Sequence, residues 1–257
     1  MTTDKKPATV PLAWIAGVGA SAGLGAALAR RYAKGGLAVA ITGRTRERVE
    51  AIAAEVRAAG GVAHALVGDV TDESRIDALA REVAGLGDLQ AAVFNAAGAA
   101  RAPTLELSAE QFEQAWRIST FGGFLFGRAA LRGLLANAGS LDSPAGRGSL
   151  LFTGATASLR GRPPFTAFAA AKAGLRSLSQ SLAREFGPQG IHVAHVVIDG
   201  GIDGERLRSS AGQRVAEAGP DGLLNIDAIA EAYWQLHAQH RSAWSQEIDL
   251  RPWSEGF

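Results

Sequence analysis

A lysine one helical turn after an aromatic residue is the arrangement in this chain best suited to proton chemistry. The segment from Phe165 to Lys172 predicts the start of a helix, on which Phe168 and Lys172 share a face because they are four residues apart. A tyrosine–lysine pair at this spacing exchanges protons, since the ammonium favours the ionised phenol. Phenylalanine keeps the ring without the acid, so the pair retains the cation and lacks the proton donor.

A glycine-rich turn lies between the first predicted strand and the first predicted helix. Its glycines let the backbone turn sharply, admit a pyrophosphate against the helix N-terminus and allow close helix–strand packing. An ordinary tight turn is the alternative, but a place in the first βα turn of an alternating chain favours a dinucleotide. The residues predicted to bind it here are Gly19, Ser21, Gly23, Leu24 and Gly25.

The residues after the second predicted strand bear on which dinucleotide is bound. A NAD site carries Asp or Glu about 20 residues after the glycines, for the ribose hydroxyls. Here the strand ends at Thr42-Gly43-Arg44, and Arg46 and Arg48 follow. Guanidinium groups suit a 2′-phosphate, although a solvated helix start explains Arg48 better than Arg44. Arg44 therefore favours NADP(H) over NAD(H).

Two further strand ends supply candidate cofactor contacts. Asp69 and Val70 follow the third strand, where they could touch the adenine or lead into the cap of the next helix, with Thr71 or Asp72 as the better cap. Asn95, Ala96 and Gly98 end the fourth strand, at the edge where open α/β folds bind ligands. The asparagine and small residues there leave room for a ribose and also stabilise a turn.

Composition narrows the class of protein. The chain has 257 residues, 47% of them hydrophobic and 20% charged, which describes one soluble globular domain. A formal net charge of +1 gives no basic field for nucleic acid, and the absence of cysteine excludes disulfides and thiolate chemistry. No apolar run reaches the length of a membrane span.

His237 and His240 could share a helix face, but we expect a packed or solvated pair rather than a metal site. The charged leader Met1–Thr9 predicts a frayed tail rather than a signal, and we expect a cytoplasmic protein.

Short apolar runs alternate with longer amphipathic segments along the whole chain. This alternation predicts a parallel, doubly wound α/β sheet with right-handed crossovers. Residues 1–10 are predicted to be a flexible tail, and residues 11–257 one domain. The predicted strands are Leu12–Gly17, Leu37–Thr42, Ala63–Val67, Ala91–Phe94, Ser149–Thr153, His192–Ile198 and Gln246–Leu250. The predicted helices are Gly23–Gly35, Arg46–Ala59, Ser74–Ala84, Ala109–Ala136, Ala167–Phe186 and Ile226–His240.

With these pieces in order, the chain resembles a short-chain dehydrogenase/reductase over essentially its whole length. Four landmarks carry the resemblance: the Gly19–Gly25 turn, Asp69, Asn95-Ala96-Ala97-Gly98, and an aromatic residue four before Lys172. The resemblance implies a single-domain Rossmann fold with a seven-stranded sheet and helices on both faces. It also implies a bound nicotinamide nucleotide, a small-molecule substrate, and a homo-oligomer, either dimer or tetramer.

The family's catalytic tetrad of Asn, Ser, Tyr and Lys is only partly present. The resemblance aligns the asparagine with Ser119, the serine with Ala155 and the tyrosine with Phe168, while Lys172 keeps the lysine and its implied hold on the nicotinamide ribose. The Pro-Gly after the sixth strand becomes Asp199-Gly200. Ile202 takes the place whose backbone usually meets the nicotinamide carboxamide. The family's carbonyl chemistry therefore does not transfer directly.

Replacement proton donors must come from the same edge of the sheet. Asp199, half-buried among apolar neighbours, could have a raised pKa and act as an acid, or could bond the following amides as a turn residue. Thr156 is a second candidate. Ser119 could bind a water molecule or fill helix space. The only tyrosines, Tyr32 and Tyr233, lie in the first and last helices and are not expected to reach the site.

Two classes of function fit these residues. The first is an NADP-dependent oxidoreductase whose substrate tolerates slow or solvent-borne protonation, such as an enone, imine or quinone, with carbonyl reduction by Asp199 or a threonine as a variant. Phe168 and Phe165 would then wall a hydrophobic substrate site. The second is a regulatory or partner protein that binds NADP(H) without turnover.

Overall fold

A computed structural model describes residues 10–98, 100–136 and 143–256. Apart from Val10, the predicted N-terminal tail lies outside the described residues. No helix among those residues is long and apolar enough to cross a membrane.

Seven parallel strands form one sheet with the order β3-β2-β1-β4-β5-β6-β9. Their sequences are almost continuously apolar because both faces of the sheet are covered. In β1, for example, Leu12 and Trp14 pack on one face while Ala13 and Ile15 pack on the other. The strands are β1 (Pro11–Ala16), β2 (Ala38–Gly43), β3 (Ala63–Val67), β4 (Asp88–Phe94), β5 (Gly148–Thr153), β6 (Ile191–Ile198) and β9 (Glu247–Leu250), and a separate short pair is β7 (Ile202–Asp203) with β8 (Leu224–Asn225).

Helices cover both faces of the sheet. The cluster containing Ala13 and Ile15 is closed by α1, α2 and α9, and the cluster containing Leu12 and Trp14 by α3, α5 and α6. The predicted single-domain Rossmann fold is therefore confirmed. The helices are α1 (Leu24–Lys34), α2 (Arg46–Ala58), α3 (Glu73–Leu86), α4 (Ala109–Trp116), α5 (Gly122–Ala136), α6 (Thr166–Phe186), α7 (Glu205–Ser210), α8 (Gly212–Glu217) and α9 (Ile226–His237).

Two predicted helices differ from the structure. The long helix Ala109–Ala136 is interrupted by a π-helical turn at Arg117–Phe121, which joins α4 to α5. The last helix ends at His237 rather than His240. The ring of His240 instead accepts a hydrogen bond from the backbone N–H of Ser242 at 3.2 Å and begins the next turn. His237 and His240 therefore do not share a helix face.

The fold leaves an open crevice where the chain changes direction. β1 and β4 are neighbours in the sheet, but the chain crosses from β1 toward β2 and β3 and from β4 toward β5 and β6. The connections that follow these strands part at this point, so a ligand can enter between them.

Candidate active site

A cavity of about 870 Å³ opens at the carboxyl edge of the sheet. It spans the turns after β1, β2 and β3 at one end, and the segments after β4, β5 and β6 at the other. Among the predicted site residues, those that line it are Gly19, Gly23, Leu24, Gly25, Arg44, Asp69, Val70, Asn95, Ala96, Thr156, Phe168, Lys172 and Ile202.

The glycines of the first turn do different jobs. A Cβ placed on Gly25 would lie 2.9 Å from the carbonyl oxygen of Gly17, so Gly25 is needed for close packing of α1 against β1. A Cβ placed on Gly19 would meet no atom within 4 Å, because its open side faces the cavity. Ser21 does not line the cavity, and its hydroxyl donates to Glu55 Oε2 at 2.8 Å, so its contact with a cofactor stays a prediction.

The start of α1 fits a pyrophosphate. Gly23 precedes the helix in an extended conformation and offers no side-chain cap, and the first turn carries no acidic residue. The first backbone N–H groups and the positive end of the helix dipole are therefore available to an anion. Together with the open side of Gly19, this cradle fits the phosphates of a dinucleotide.

The arginines after β2 have different partners. Arg46 pairs with Glu50 on the surface of α2, and Arg48 lies 3.5 Å from Glu205. Arg44 lines the cavity and makes no ion pair within the residues that the structure describes. Of the three, Arg44 is thus the arginine whose guanidinium has no carboxylate partner among the described residues.

Asp69 both lines the cavity and holds its own turn. Its Oδ1 accepts hydrogen bonds from the backbone N–H of Thr71 at 2.9 Å and the Thr71 hydroxyl at 2.8 Å. Asp72 is the N-cap of α3, as the sequence suggested. Val70 lies beside Asp69 in the wall and also packs against Gly122 of α5.

A chain of hydrogen bonds crosses beneath the cavity. The Tyr233 hydroxyl donates to Thr153 Oγ1 at 2.7 Å, Thr153 Oγ1 donates to Asn95 Oδ1 at 3.1 Å, and Asn95 Nδ2 donates to the Gly17 carbonyl at 3.1 Å. Tyr233 lies outside the cavity wall, but it supports two residues that line it. Sequence reasoning missed this contact, because nothing in the sequence relates α9 to the end of β5.

Ser119 and Gly98 form a contact behind the cavity rather than in its wall. Ser119 is fully buried in the π-helical turn, and its Oγ accepts a hydrogen bond from the Gly98 N–H at 3.1 Å. A Cβ on Gly98 would come within 2.9 Å of Ala115 Cα, so glycine is needed there for packing. The structure shows this contact for Ser119, and its role in binding a water molecule stays a prediction.

Lys172 is buried in the cavity wall beside Phe168. Its Nζ donates to the carbonyl oxygen of Thr153 at 2.6 Å and lies 5.8 Å from the centre of the Phe168 ring. Burial, with a smaller contribution from the charge of Arg206, lowers the pKa of Lys172 to about 7.

Thr156, Asp199 and Arg251 form a second polar chain at the end of β6. The Thr156 hydroxyl donates to Asp199 Oδ1 at 2.5 Å, and Arg251 Nη2 lies 3.2 Å from Asp199 Oδ2. Asp199 is only 3% exposed and lies behind the wall, while Thr156 lines it. Both oxygens of Asp199 therefore have polar partners within the protein, and its proposed role as an acid stays a prediction.

The segment after β6 closes over the glycine-rich turn. Glu205 N–H donates to the Ala22 carbonyl at 2.8 Å, and a Cβ on Gly204 would lie 2.9 Å from that same oxygen. Ile202 lines the cavity on β7, two residues before this contact. Backbone contacts thus join the segment after β6 to the glycine-rich turn after β1.

A buried histidine lies next to the site without lining it. His195 Nδ1 lies 2.8 Å from Glu247 Oε2, and Arg176 binds the same carboxylate at 2.7 and 2.8 Å. Burial outweighs the nearby carboxylate and lowers the pKa of His195 to about 4, so the ring is neutral near pH 7. No group of three His, Cys, Asp or Glu residues in the described part of the chain could hold a metal ion.

Comparison with known proteins agrees with this geometry. The sequence pattern of the short chain dehydrogenase family matches residues 13–215. The chain belongs to that family. Short-chain dehydrogenase/reductase eriH of Hericium erinaceus is 32% identical over 179 residues, which cover 67% of this chain and 68% of the relative.

Solved structures of this family share the whole fold. A short-chain dehydrogenase from Rhodopseudomonas palustris is 35% identical with a TM-score of 0.77, and the match covers 95% of this chain and 99% of the other. A metagenomic short-chain oxidoreductase in complex with NADP is 25% identical with a TM-score of 0.76, covering 94% and 97%. The chain is thus a member of an oxidoreductase family that binds NAD(P), and the predicted family is confirmed.

Proposed function

We propose that this short-chain dehydrogenase is an NADP(H)-dependent oxidoreductase that works without the family's tyrosine and reduces a small carbonyl, enone, imine or quinone. The observation that carries the proposal is the position of Lys172, whose Nζ is held by the Thr153 carbonyl at 2.6 Å in the wall of the cavity. The open side of Gly19 supports a bound dinucleotide, and Arg44 supports NADP(H) over NAD(H).

The residues around the cavity favour some acceptors over others. When bound, NADPH supplies a hydride, and the substrate must also gain one proton. A reduced enone or quinone takes that proton readily from water, whereas the alkoxide from a simple ketone needs an acid in place. The Thr156 hydroxyl donates to Asp199, so towards the cavity it is an acceptor. Lys172, with a pKa of about 7, is the better proton source near neutral pH.

Restoring the phenol tests this proposal. NADPH consumption would be followed with cyclohex-2-enone, 1,4-naphthoquinone and acetophenone, using the natural chain, Lys172→Met, Phe168→Tyr and Phe165→Tyr. We expect turnover of the enone or quinone and about a 100-fold or greater loss in Lys172→Met. Phe168→Tyr should raise acetophenone reduction at least about tenfold. Phe165→Tyr adds the same hydroxyl to another ring of the cavity wall and should not.

A lack of NADPH consumption would contradict this proposal. If neither the natural chain nor Phe168→Tyr consumes NADPH with any acceptor, while NADPH still raises the melting temperature, the oxidoreductase proposal fails. The nucleotide-binding protein without turnover then takes its place.

We also propose that the protein is a homo-oligomer. β9 is an edge strand of the sheet, and Trp253, three residues after it, is 83% exposed. A large apolar side chain beside a sheet edge is suited to contact with a second subunit. Light scattering on the purified chain should give the mass of a dimer or tetramer, and a monomer mass would contradict it. The cytoplasmic location stays a prediction.

A further inference from the structure

Arginines line both ends of the cavity. Arg44 and Arg48 follow β2, at the end where the adenosine part of a dinucleotide lies in this fold. Four more line the other end, where the nicotinamide and substrate meet. Those four are Arg160 and Arg162, between β5 and α6, and Arg206 and Arg214, on α7 and α8.

The four arginines at the substrate end lack carboxylate partners among the described residues, unlike Arg208 nearby. None of them makes an ion pair with a carboxylate in the part of the chain that the structure describes. Arg208, two residues after Arg206 on α7, binds both oxygens of Asp203 at 2.8 and 2.9 Å. The unpaired guanidinium on this short helix is therefore the one at the cavity.

Three of these arginines have contacts or charge interactions that place their guanidinium groups near other residues of the cavity wall. Arg162 lies over the Phe165 ring, with its guanidinium carbon 6.0 Å from the ring centre. The charge of Arg206 reaches Lys172 strongly enough to help lower its pKa. Arg214 lies beside Gly201, since a Cβ on that glycine would come 3.6 Å from Arg214 Nη2. The guanidinium groups thus approach the apolar wall from two different segments.

A neutral substrate would leave this charge uncompensated. Besides Asp69, the acidic residues of the described cavity wall are Glu205 and Glu255, and Glu205 already lies 3.5 Å from Arg48. Covering several cations with an uncharged ligand removes water from them without giving them a partner, which is unfavourable. The phosphates of the cofactor are accounted for at the start of α1 and at Arg44.

We propose that the substrate is an amphipathic anion, with a carboxylate or phosphate group bound between Arg160–Arg162 and Arg206–Arg214 and its reducible group against Phe168 and Lys172. This inference rests on the proposed function and adds the chemical class of the substrate. Guanidinium groups bind both anions through paired charge-assisted hydrogen bonds. The apolar wall then holds the conjugated body of the substrate.

A binding experiment tests the proposal independently of turnover. Phenylacetate, phenyl phosphate and 2-phenylethanol would be titrated by calorimetry into the protein saturated with NADP⁺, using the natural chain, Arg162→Gln/Arg206→Gln, and Arg81→Gln. Arg81→Gln removes one exposed positive charge on α3, away from the cavity. We expect at least one anion to bind tenfold or more tightly than the alcohol. The double variant should lose that preference while Arg81→Gln keeps it, and the tighter anion identifies carboxylate or phosphate.

A kinetic experiment then tests whether the same anion site binds a substrate that is reduced. NADPH consumption with trans-4-oxo-4-phenylbut-2-enoate would be compared with that of its methyl ester. We expect the acid to have the lower KM, and the double variant to raise the acid's KM at least tenfold more than the ester's.

The outcomes separate this inference from the proposed function. Equal binding of anions and alcohol, or an unchanged preference in the double variant, overturns the anion site. Loss of NADP⁺ affinity in the double variant, with no change in anion preference, assigns the arginines to the cofactor and also overturns it. Anion-selective binding with no turnover of the acid, the ester or any acceptor of the first panel upholds the site and overturns the oxidoreductase.

Discussion

The two ends of the cavity are built in different ways. At the adenosine end, the wall is backbone: the glycine-rich turn, the uncapped start of α1 and the turn of Asp69. At the substrate end, buried side chains from distant elements meet, as in the bonds from Lys172 to Thr153 and from Tyr233 to Thr153. A binding surface made of backbone depends on residues that permit a conformation, whereas one made of side chains depends on pairs that only the tertiary fold brings together.

The largest effect on stability should come from a substitution at Gly17, where the turn after β1 packs against the segment after β4. Gly17 has a φ of 86°, and a Cβ on it would lie 2.3 Å from the backbone nitrogen of Ala96, so Gly17→Ala forces two main chains apart. We expect a loss of about 3–4 kcal/mol in the free energy of unfolding, measured by urea denaturation. Gly36→Ala is the matched control, because Gly36 has a φ of 92° but open space around it. It should cost about 1 kcal/mol, and equal losses would contradict the close contact.

The buried lysine makes the substrate end sensitive to pH. The pKa of Lys172 is about 7 in the folded chain against an ordinary value of 10.5. Between these values the unfolded chain holds a proton that the folded chain has released, so stability rises with pH above 7. Relative to Lys172→Met, the natural chain should gain about 2–3 kcal/mol from pH 7 to pH 9.

Urea midpoints of the two cofactor-free proteins at pH 6, 7, 8 and 9 measure this difference. Below about pH 7 both states of Lys172 are protonated, so the difference should be flat. Parallel curves from pH 6 to pH 9 would show that the lysine keeps its ordinary pKa when folded.

At the adenosine end, we assign the preference for NADPH over NADH to the side chain of Arg44. Arg44→Gln should weaken NADPH binding about 10- to 30-fold while leaving NADH binding unchanged, because one charge-assisted contact to the 2′-phosphate is lost. Protein fluorescence titrations with both nucleotides measure the ratio. Arg46→Gln provides the control, since Arg46 pairs with Glu50 on the helix surface. A similar loss for both nucleotides would assign Arg44 to general charge attraction.

The smallest effect should come from the hydrogen-bond chain under the cavity. Tyr233→Phe removes the 2.7 Å donation to Thr153 and should cost about 1 kcal/mol in thermal unfolding. Tyr32→Phe is the comparison, because Tyr32 donates at 3.2 Å to the backbone carbonyl of Tyr233. If Tyr233→Phe changes neither the melting temperature nor NADPH affinity, the support it gives to Thr153 and Asn95 is negligible.

The same contrast explains what the sequence could predict. Alternating apolar runs predicted all seven strands of the main sheet and most helix ends, since burial on both faces imposes a periodicity that is local in the chain. The glycine turn was equally readable, because glycine at fixed spacing records a backbone requirement. The direction of the Ser21 hydroxyl could not be predicted in the same way, because its partner Glu55 lies 34 residues away in the chain.

The substrate end was less predictable for a physical reason. The lowered pKa of Lys172 depends on burial and on Arg206, which is 34 residues away in the chain. The pairing of Asp199 with Arg251 and Thr156 likewise joins three separate segments. Composition and spacing do not contain such partners. The cofactor and catalytic roles of the residues in this site stay predictions until the experiments above are done.

The acceptor that holds Lys172 is a peptide carbonyl, and this has an evolutionary consequence. Every amino acid at position 153 brings the same oxygen, so substitutions there leave the 2.6 Å contact in place as long as β5 keeps its course. Mutation can thus alter the side chains facing the ammonium, including the ring at Phe168, without releasing it. A lineage can exchange one proton donor for another, or dispense with it, while inheriting the lysine unchanged.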